Sequence, residues 1–340
     1  GAALMRRRDF VAALGWVGVA GAAGAMFRPR GRGNASAGLS GGASPASGAT
    51  RVDPERWADL APLPERWGVQ LYTVRDAMEE SVPATLAAVA AMGYGEVEFA
   101  GLFGHSPARV RRMLGQEGLR AASSHVGMDV IRGGWEAALD DAATLGQDLI
   151  VLPSLPAEVP TAAGRALDAR TPDGLRALAE ELTRAGEAAR ARGIHLGFHN
   201  HEFEVRPLAR EGGRAEAAGG GAAAGGRDEA AAPRPLDLLL AHSDPAALSF
   251  QLDLYWTVHG GADPEAWFRD HPGRFLSVHL KDRAPDGRMV DVGAGSLDFK
   301  RLLEAGEAAG VRHAFVEHDR PERPLESIRA GIRHLRTLRG

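Results

Sequence analysis

Short apolar runs recur from about Trp67 onward: WGVQLY, GEVEFA, LRAASSHV, DLIVLP, IHLGFHN, LSFQLDL, FLSVHL and HAFVEH. They are continuous in apolar or small residues, the pattern of strands covered on both faces in a parallel sheet. Between them lie stretches with helical spacing: PATLAAVAAMG, PARVRRMLGQEG, WEAALDDAATLG, DGLRALAEELTRAGEAARARG, PLDLLLAHS, PEAWFRDHP, DFKRLLEAGEAAG and PLESIRAGIRHLRTLRG. Repeated βα units predict an α/β fold, a (β/α)8 TIM barrel forming a single domain. Gly93, Gly118, Gly146, Gly193 and Gly310 fall where helices must stop before the next strand, and predict left-handed helix caps.

The pattern divides the chain. In residues 1–30, Arg6, Arg7 and Arg8 precede a Gly- and Ala-rich apolar stretch, which resembles a twin-arginine export signal and predicts an exported, periplasmic protein. That stretch is too weakly apolar for a stable membrane anchor. Ala20-Gly21-Ala22, Ala23-Gly24-Ala25 and Ala35-Ser36-Ala37 all offer cleavage sites. Residues 31–66 read as a flexible linker and lead-in, because segment 31–50 has almost no large apolar side chains to offset ordering entropy. Residues 67–340 form the expected barrel domain, interrupted by a low-complexity Gly/Ala insert at 209–235 that reads as an inert disordered loop.

Composition narrows the function classes. The 340 residues are 44% hydrophobic and 25% charged with a net charge of -4, which fits a soluble protein with one large core and lacks the basic surface that nucleic acid requires. With no cysteine, any metal must be held by nitrogen and oxygen.

Those donors cluster at strand ends: FHNHE at 198–202, QLDLYW at 251–256, SVHLKD at 277–282 and FVEHD at 315–319. In a barrel these ends meet at one mouth, so His199, Asp253, His279 and Glu317 are the expected ligands of one divalent ion. Two imidazoles and two carboxylates suit Mn²⁺, Co²⁺, Zn²⁺ or Fe²⁺ better than Ca²⁺. Singly, each reads as a packing histidine or a turn-capping aspartate; four on successive strands reverse that balance.

Further groups share the rim. Asn200 and His201 flank His199, and Lys281 is placed to meet an oxyanion, although Lys281-Asp282 reads equally as a loop ion pair. Glu98, nearer its strand end than Glu96, and His125 are acid/base candidates on the opposite wall. Tyr72, Phe103, Trp256 and His259 offer an apolar wall for a sugar ring, and Asn200, Trp256, His259 and Tyr72 are the expected substrate contacts. VGAGS at 292–296 lacks the ending of a phosphate loop and reads as a turn.

GVQLYTVRD at 68–76, FHNHEFEV at 198–205, LDLYW at 252–256, VHLKD at 278–282, VGAGSLDF at 292–299 and FVEHD at 315–319 together resemble the xylose isomerase-like TIM barrels, in the sugar phosphate isomerase/epimerase branch. The resemblance implies one divalent ion on His199, Asp253, His279 and Glu317. The chain departs from it in one respect: the ketose epimerases carry a proton-moving Glu where His199 stands.

The expected activity is isomerisation or epimerisation of a small sugar or keto-sugar through an enediolate, with Glu317 moving the proton and His201, His125 or Glu98 serving the other face. A second reading is a lyase or hydrolase that cleaves a 3-keto-glycoside by β-elimination. A third is an exported carbohydrate-binding protein without turnover. A DNA-repair nuclease fits least, given the acidic charge. A homo-oligomer is compatible with all of these.

Overall fold

A computed structural model describes Leu63 and residues 66–161, 164–208 and 232–338. The export-signal segment, nearly all of the linker and lead-in, and most of the insert lie outside the described residues. Among the described residues, no helix is long and apolar enough to cross a membrane.

The described strands are, in chain order, β1 (Gly68–Gln70), β2 (Glu96–Phe99), β3 (Arg120–His125), β4 (Leu149–Leu152), β5 (Glu158–Pro160), β6 (Ala166–Asp168), β7 (His195–His199), β8 (Leu248–Asp253), β9 (Phe275–Leu280), β10 (Asp282–Arg283), β11 (Met289–Val290) and β12 (His313–Val316). Eight of them close into a parallel barrel in the order β1-β12-β9-β8-β7-β4-β3-β2, so the predicted TIM barrel is the fold. Two antiparallel hairpins, β5 with β6 and β10 with β11, decorate the loops after β4 and β9; the apolar pattern had shown neither.

The helices follow from their sequences. Pro172–Ala191 starts where the Thr171 hydroxyl accepts the Gly174 amide at 3.1 Å and Pro172 fills the first turn. It buries Leu175, Leu178, Ala179, Leu182, Gly186 and Ala189, a three-and-four spacing that lays one stripe on the barrel. At Gly186 a Cβ would overlap the Ala247 backbone carbonyl, so glycine permits that approach. The predicted caps form: Gly93, Gly118, Gly146, Gly193 and Gly310 all take positive φ.

The strands carry two faces, not one continuous apolar character. Leu248, Phe250 and Leu252 alternate with Ser249, Gln251 and Asp253, and Leu276, Val278 and Leu280 alternate with Ser277, His279 and Lys281. The polar set points into the lumen, because Glu98 on β2 hydrogen-bonds His279 on β9, two strands that are not neighbours in the barrel. Of the outward set, Leu248, Phe250, Leu252, Val278 and Leu280 belong to the main hydrophobic core.

A lower polar cluster sits beneath this layer. Glu96 receives Arg66 Nη1 at 2.8 Å, Arg120 Nη1 at 2.9 Å and the His313 ring at 2.8 Å, tying the segment that leads into β1 to β2, β3 and β12. Burial would raise the Glu96 pKa, but His313, Arg66 and Arg120 outweigh it and bring it down to about 2. A folded value below the usual 4.5 means the stabilisation is complete above about pH 4.5 and is lost as the pH falls towards 2. At roughly 1.4 kcal/mol per pH unit the cluster is expected to contribute about 3 kcal/mol. Denaturant melts of Glu96→Gln should show that loss at pH 7 and a flatter acid limb than wild type; superimposable acid limbs would refute it.

Candidate functional site

The donors stand at the C-terminal ends of four successive barrel strands. His199 ends β7, Asp253 ends β8, His279 lies in β9 and Glu317 directly follows β12, and all are buried, at 0 to 5% exposure. His199 Nε2 lies 3.7 Å from Asp253 Oδ2, His279 Nδ1 lies 4.0 Å from the same oxygen, and His279 Nδ1 lies 2.6 Å from Glu317 Oε2. Asp253, His279 and Glu317 form one compact donor group, and His199 joins His279 and His125 in an overlapping one.

Lys281 threads into this set. Its Nζ is 3.0 Å from Asp253 Oδ2, 2.9 Å from Glu317 Oε2 and 2.7 Å from Asp319 Oδ1, with 2% of the side chain exposed. Burial works against its charge, but the three carboxylates outweigh that and raise its pKa well above normal. Asp282 faces away from it. The Asp282 carboxylate accepts the amides of Arg283, Gly293, Gly295 and Leu297 at 2.8 to 3.2 Å, so VGAGS is a turn wrapped round a buried anion. The adjacent Lys281 and Asp282 are therefore a site cation and a loop anchor, not an ion pair with each other.

The electrostatics divide the donors by role. Burial would lower His279, but Glu317 and Glu98 on its two sides raise it to about 10. Burial, reinforced by His279, His201 and Lys281, keeps His199 well below the usual imidazole value, so it is neutral. Burial and Lys281 bring His201 down to about 4. Burial lifts Asp253 to about 6 against the pull of Lys281 and His279, whereas Glu317 falls far below normal because Lys281 and His279 outweigh its burial. At neutral pH Glu317 is an ionised acceptor and His201 an uncharged imidazole.

This donor set fits a divalent cation. Asp253 Oδ2 and His279 Nδ1 are fully buried and make no well-directed hydrogen bond despite their close neighbours. In metal-free protein a proton on His279 Nδ1 and the Lys281 ammonium balance the Asp253 and Glu317 carboxylates, and a divalent ion would take the place of the His279 proton. Imidazole nitrogen with carboxylate oxygen is the chemistry of a first-row divalent ion, and His199, Asp253, His279 and Glu317 would hold it.

The other expected residues occupy distinct places. His201 lies at the mouth, its ring 5.0 Å from His199 and 5.7 Å from Trp256. The Trp256 ring lies 5.9 Å from Lys281 Nζ, and its Nε1 is buried without a partner. His259 stacks on Tyr255 at 5.3 Å, Tyr72 is 39% exposed beneath the Arg75 guanidinium, and Phe103 holds a φ of 50° in the loop after β2. Asn200 is spent on the fold: its Oδ1 accepts the Asp253 amide at 3.0 Å and its Nδ2 donates to Thr257 at 3.3 Å. Glu98 lies below the donors with 0% exposure, bonded to His279, Gln70 and Gln251, so it does not reach the mouth. The His125 Nε2 is committed to Gln251 at 2.9 Å and Glu98 at 3.1 Å. The sequence had not pointed to Gln70, Gln251 or Glu204. Glu204 accepts the His201 amide at 2.8 Å and is raised by burial to about 7.

Comparison with known proteins places this geometry in context. The sequence pattern of the xylose isomerase-like TIM-barrel family matches residues 86–338. A sugar phosphate isomerase/epimerase from Parabacteroides distasonis is 25% identical over 82% of this chain and 97% of its own, with a TM-score of 0.65. A xylose isomerase domain protein from Alicyclobacillus acidocaldarius (16% identity, 80% and 97% covered, TM-score 0.57) and a 3-keto-D-glucoside 4-epimerase from E. coli (17%, 76% and 95%, 0.54) share the fold. No curated protein sequence is detectably similar to the chain.

Proposed function

The chain belongs to the xylose isomerase-like TIM-barrel family, and we propose from that membership that it is a divalent-metal-dependent isomerase or epimerase of a sugar or keto-sugar. The observation that carries the reading is the meeting of His199, Asp253, His279 and Glu317 with Lys281 between the carboxylates. A bound divalent ion would polarise a substrate carbonyl and make the neighbouring C–H more acidic.

The chain supplies the proton handling. Glu317, held ionised, takes the proton from carbon, and the bonding pair moves toward the carbonyl oxygen, where the Lys281 ammonium offsets the new charge. Return of a proton to the opposite face inverts the centre, and return to the neighbouring carbon isomerises the sugar. His201 is the group on hand for that second transfer. Trp256 and His259 supply the apolar wall for the ring. The proposed setting is exported, on the strength of Arg6–Arg8 and the apolar stretch that follows.

The test begins with elemental analysis of purified wild type beside Asp253→Ala, then a keto-sugar and keto-glycoside panel in D2O. The expected result is metal in wild type alone, and deuterium entering next to the carbonyl without bond cleavage. Chelation should stop the exchange and Mn²⁺ or Co²⁺ should restore it. Release of an aglycone would point to β-elimination instead. Sugar binding without exchange, unchanged by Glu317→Gln, would leave a binding protein.

A further inference from the structure

Below the donors, one buried carboxylate touches nearly everything. Glu98 Oε1 receives His279 Nε2 at 2.6 Å and Gln70 Nε2 at 2.8 Å, and Glu98 Oε2 receives Gln251 Nε2 at 2.8 Å. Gln251 Nε2 donates to Glu98 Oε2, so the NH2 end of that amide faces the carboxylate. The same NH2 group also donates to the Ser277 hydroxyl at 3.1 Å. The Gln251 carbonyl oxygen is then turned to the two imidazoles, 3.0 Å from His199 Nδ1 and 2.9 Å from His125 Nε2. An oxygen can only accept, so His199 must carry its proton on Nδ1. The lone pair is left on Nε2, the atom that faces Asp253.

We propose that Glu98 sets the ligating tautomer of both imidazole donors, directly for His279 and through the Gln251 amide for His199. In His279 the Nε2 proton is given to Glu98, so the proton on Nδ1, the atom turned to Asp253 and Glu317, is the one a cation would displace. Gln251 and Glu98 are thus positioning residues that never meet substrate. Gln70 holds the carboxylate from the other side, its own carbonyl fixed by the Tyr72 amide at 2.9 Å. Partners of this kind typically change metal affinity 10- to 100-fold when removed. The inference rests on the reading of His199 and His279 as ion donors, and its tests separate the two.

The first measurement needs no variant and no metal. Long-range ¹⁵N–¹H spectra of chelator-stripped, ¹⁵N-histidine-labelled protein should show His199 protonated on Nδ1; a proton on Nε2 overturns the proposal. In Gln251→Leu that proton should move to Nε2, and Mn²⁺ affinity, read by electron paramagnetic resonance, should fall roughly 10- to 100-fold. An unchanged tautomer with unchanged Mn²⁺ affinity overturns it. The exchange variant Glu98→Gln/Gln251→Glu keeps every donor facing an acceptor: the amide now on β2 gives its N–H to the carboxylate now on β8, and its carbonyl accepts from His279. It should recover both the Nδ1 proton and most of the affinity, and should do so even if Gln251→Leu fails to fold. Failure of the folded exchange variant to recover the tautomer overturns the relay. Wild type that carries the Nδ1 proton yet takes no Mn²⁺ overturns the metal reading and leaves the tautomer assignment in place.

Discussion

Glu317→Gln is expected to cut turnover by roughly 10²- to 10⁴-fold, the range for loss of a positioned general base, with the barrel still folded. Gln matches Glu in shape, so the amide can still accept from Lys281, whose Nζ sits 2.9 Å from the native carboxylate. What it cannot do is take a proton from carbon, because an amide is not basic near neutrality. Solvent deuterium exchange into substrate should fall by the same factor as net conversion, since both pass through the same proton removal. Because Glu317 would also hold the ion, the comparison is made at saturating Mn²⁺, where KM should change far less than kcat. If the variant exchanges deuterium within about tenfold of wild type, Glu317 is not the group that moves the proton and His201 becomes the leading candidate.

Lys281→Met should produce the largest loss of stability of any single change in the site. The ammonium is 2% exposed and within 3.0 Å of Asp253, Glu317 and Asp319, so removing it leaves three carboxylates around an uncharged stem. Breaking a buried ion pair from one side typically costs 3–5 kcal/mol. For a domain of this size that is a fall in Tm on the order of 10 °C in metal-free protein. A divalent ion held as proposed would supply the missing positive charge at the same carboxylates, so Mn²⁺ should raise the Tm of Lys281→Met more than that of wild type. Equal melting temperatures for the two metal-free proteins, or equal Mn²⁺ shifts, would show that Lys281 is not what neutralises the site.

Much of the architecture is written locally. The apolar runs, the glycines at Gly93 through Gly310 and the helical spacing of 172–191 each depend on residues within a few positions, and a (β/α)8 barrel followed from them. The strand-end clusters were legible for the same reason: a charged residue that closes an apolar run is conspicuous by itself. The inner faces were harder. Ser249, Gln251 and Ser277 look like neutral spacers in their own segments, and only other strands give them work: Ser249 bonds the Leu196 carbonyl on β7, Ser277 meets Gln251, and Gln251 reaches across the lumen to Glu98. Glu98 reads as a strand-end acid until His279 is seen to occupy it. Asn200 sits between two histidines and so reads as part of the chemistry, yet it holds the end of β8 in place. Asp282 follows the same logic, since three of its four amide donors come from a loop whose path no local pattern fixes.

The lumen contacts also bear on how the protein reaches this state. Glu98 and His279 are 181 positions apart, Glu98 and Gln251 are 153 apart, and Arg66 and His313 are 247 apart. Contacts of such separation incur the loop-closure entropy of most of the chain before they return any stabilisation. A partly assembled barrel ending near β7 would own His125 and His199 but neither Gln251 nor His279 to arrange them. Competence to capture an ion should therefore arise only in the last kinetic phase of refolding, after helix signal has recovered, making cation uptake a clock for ring closure.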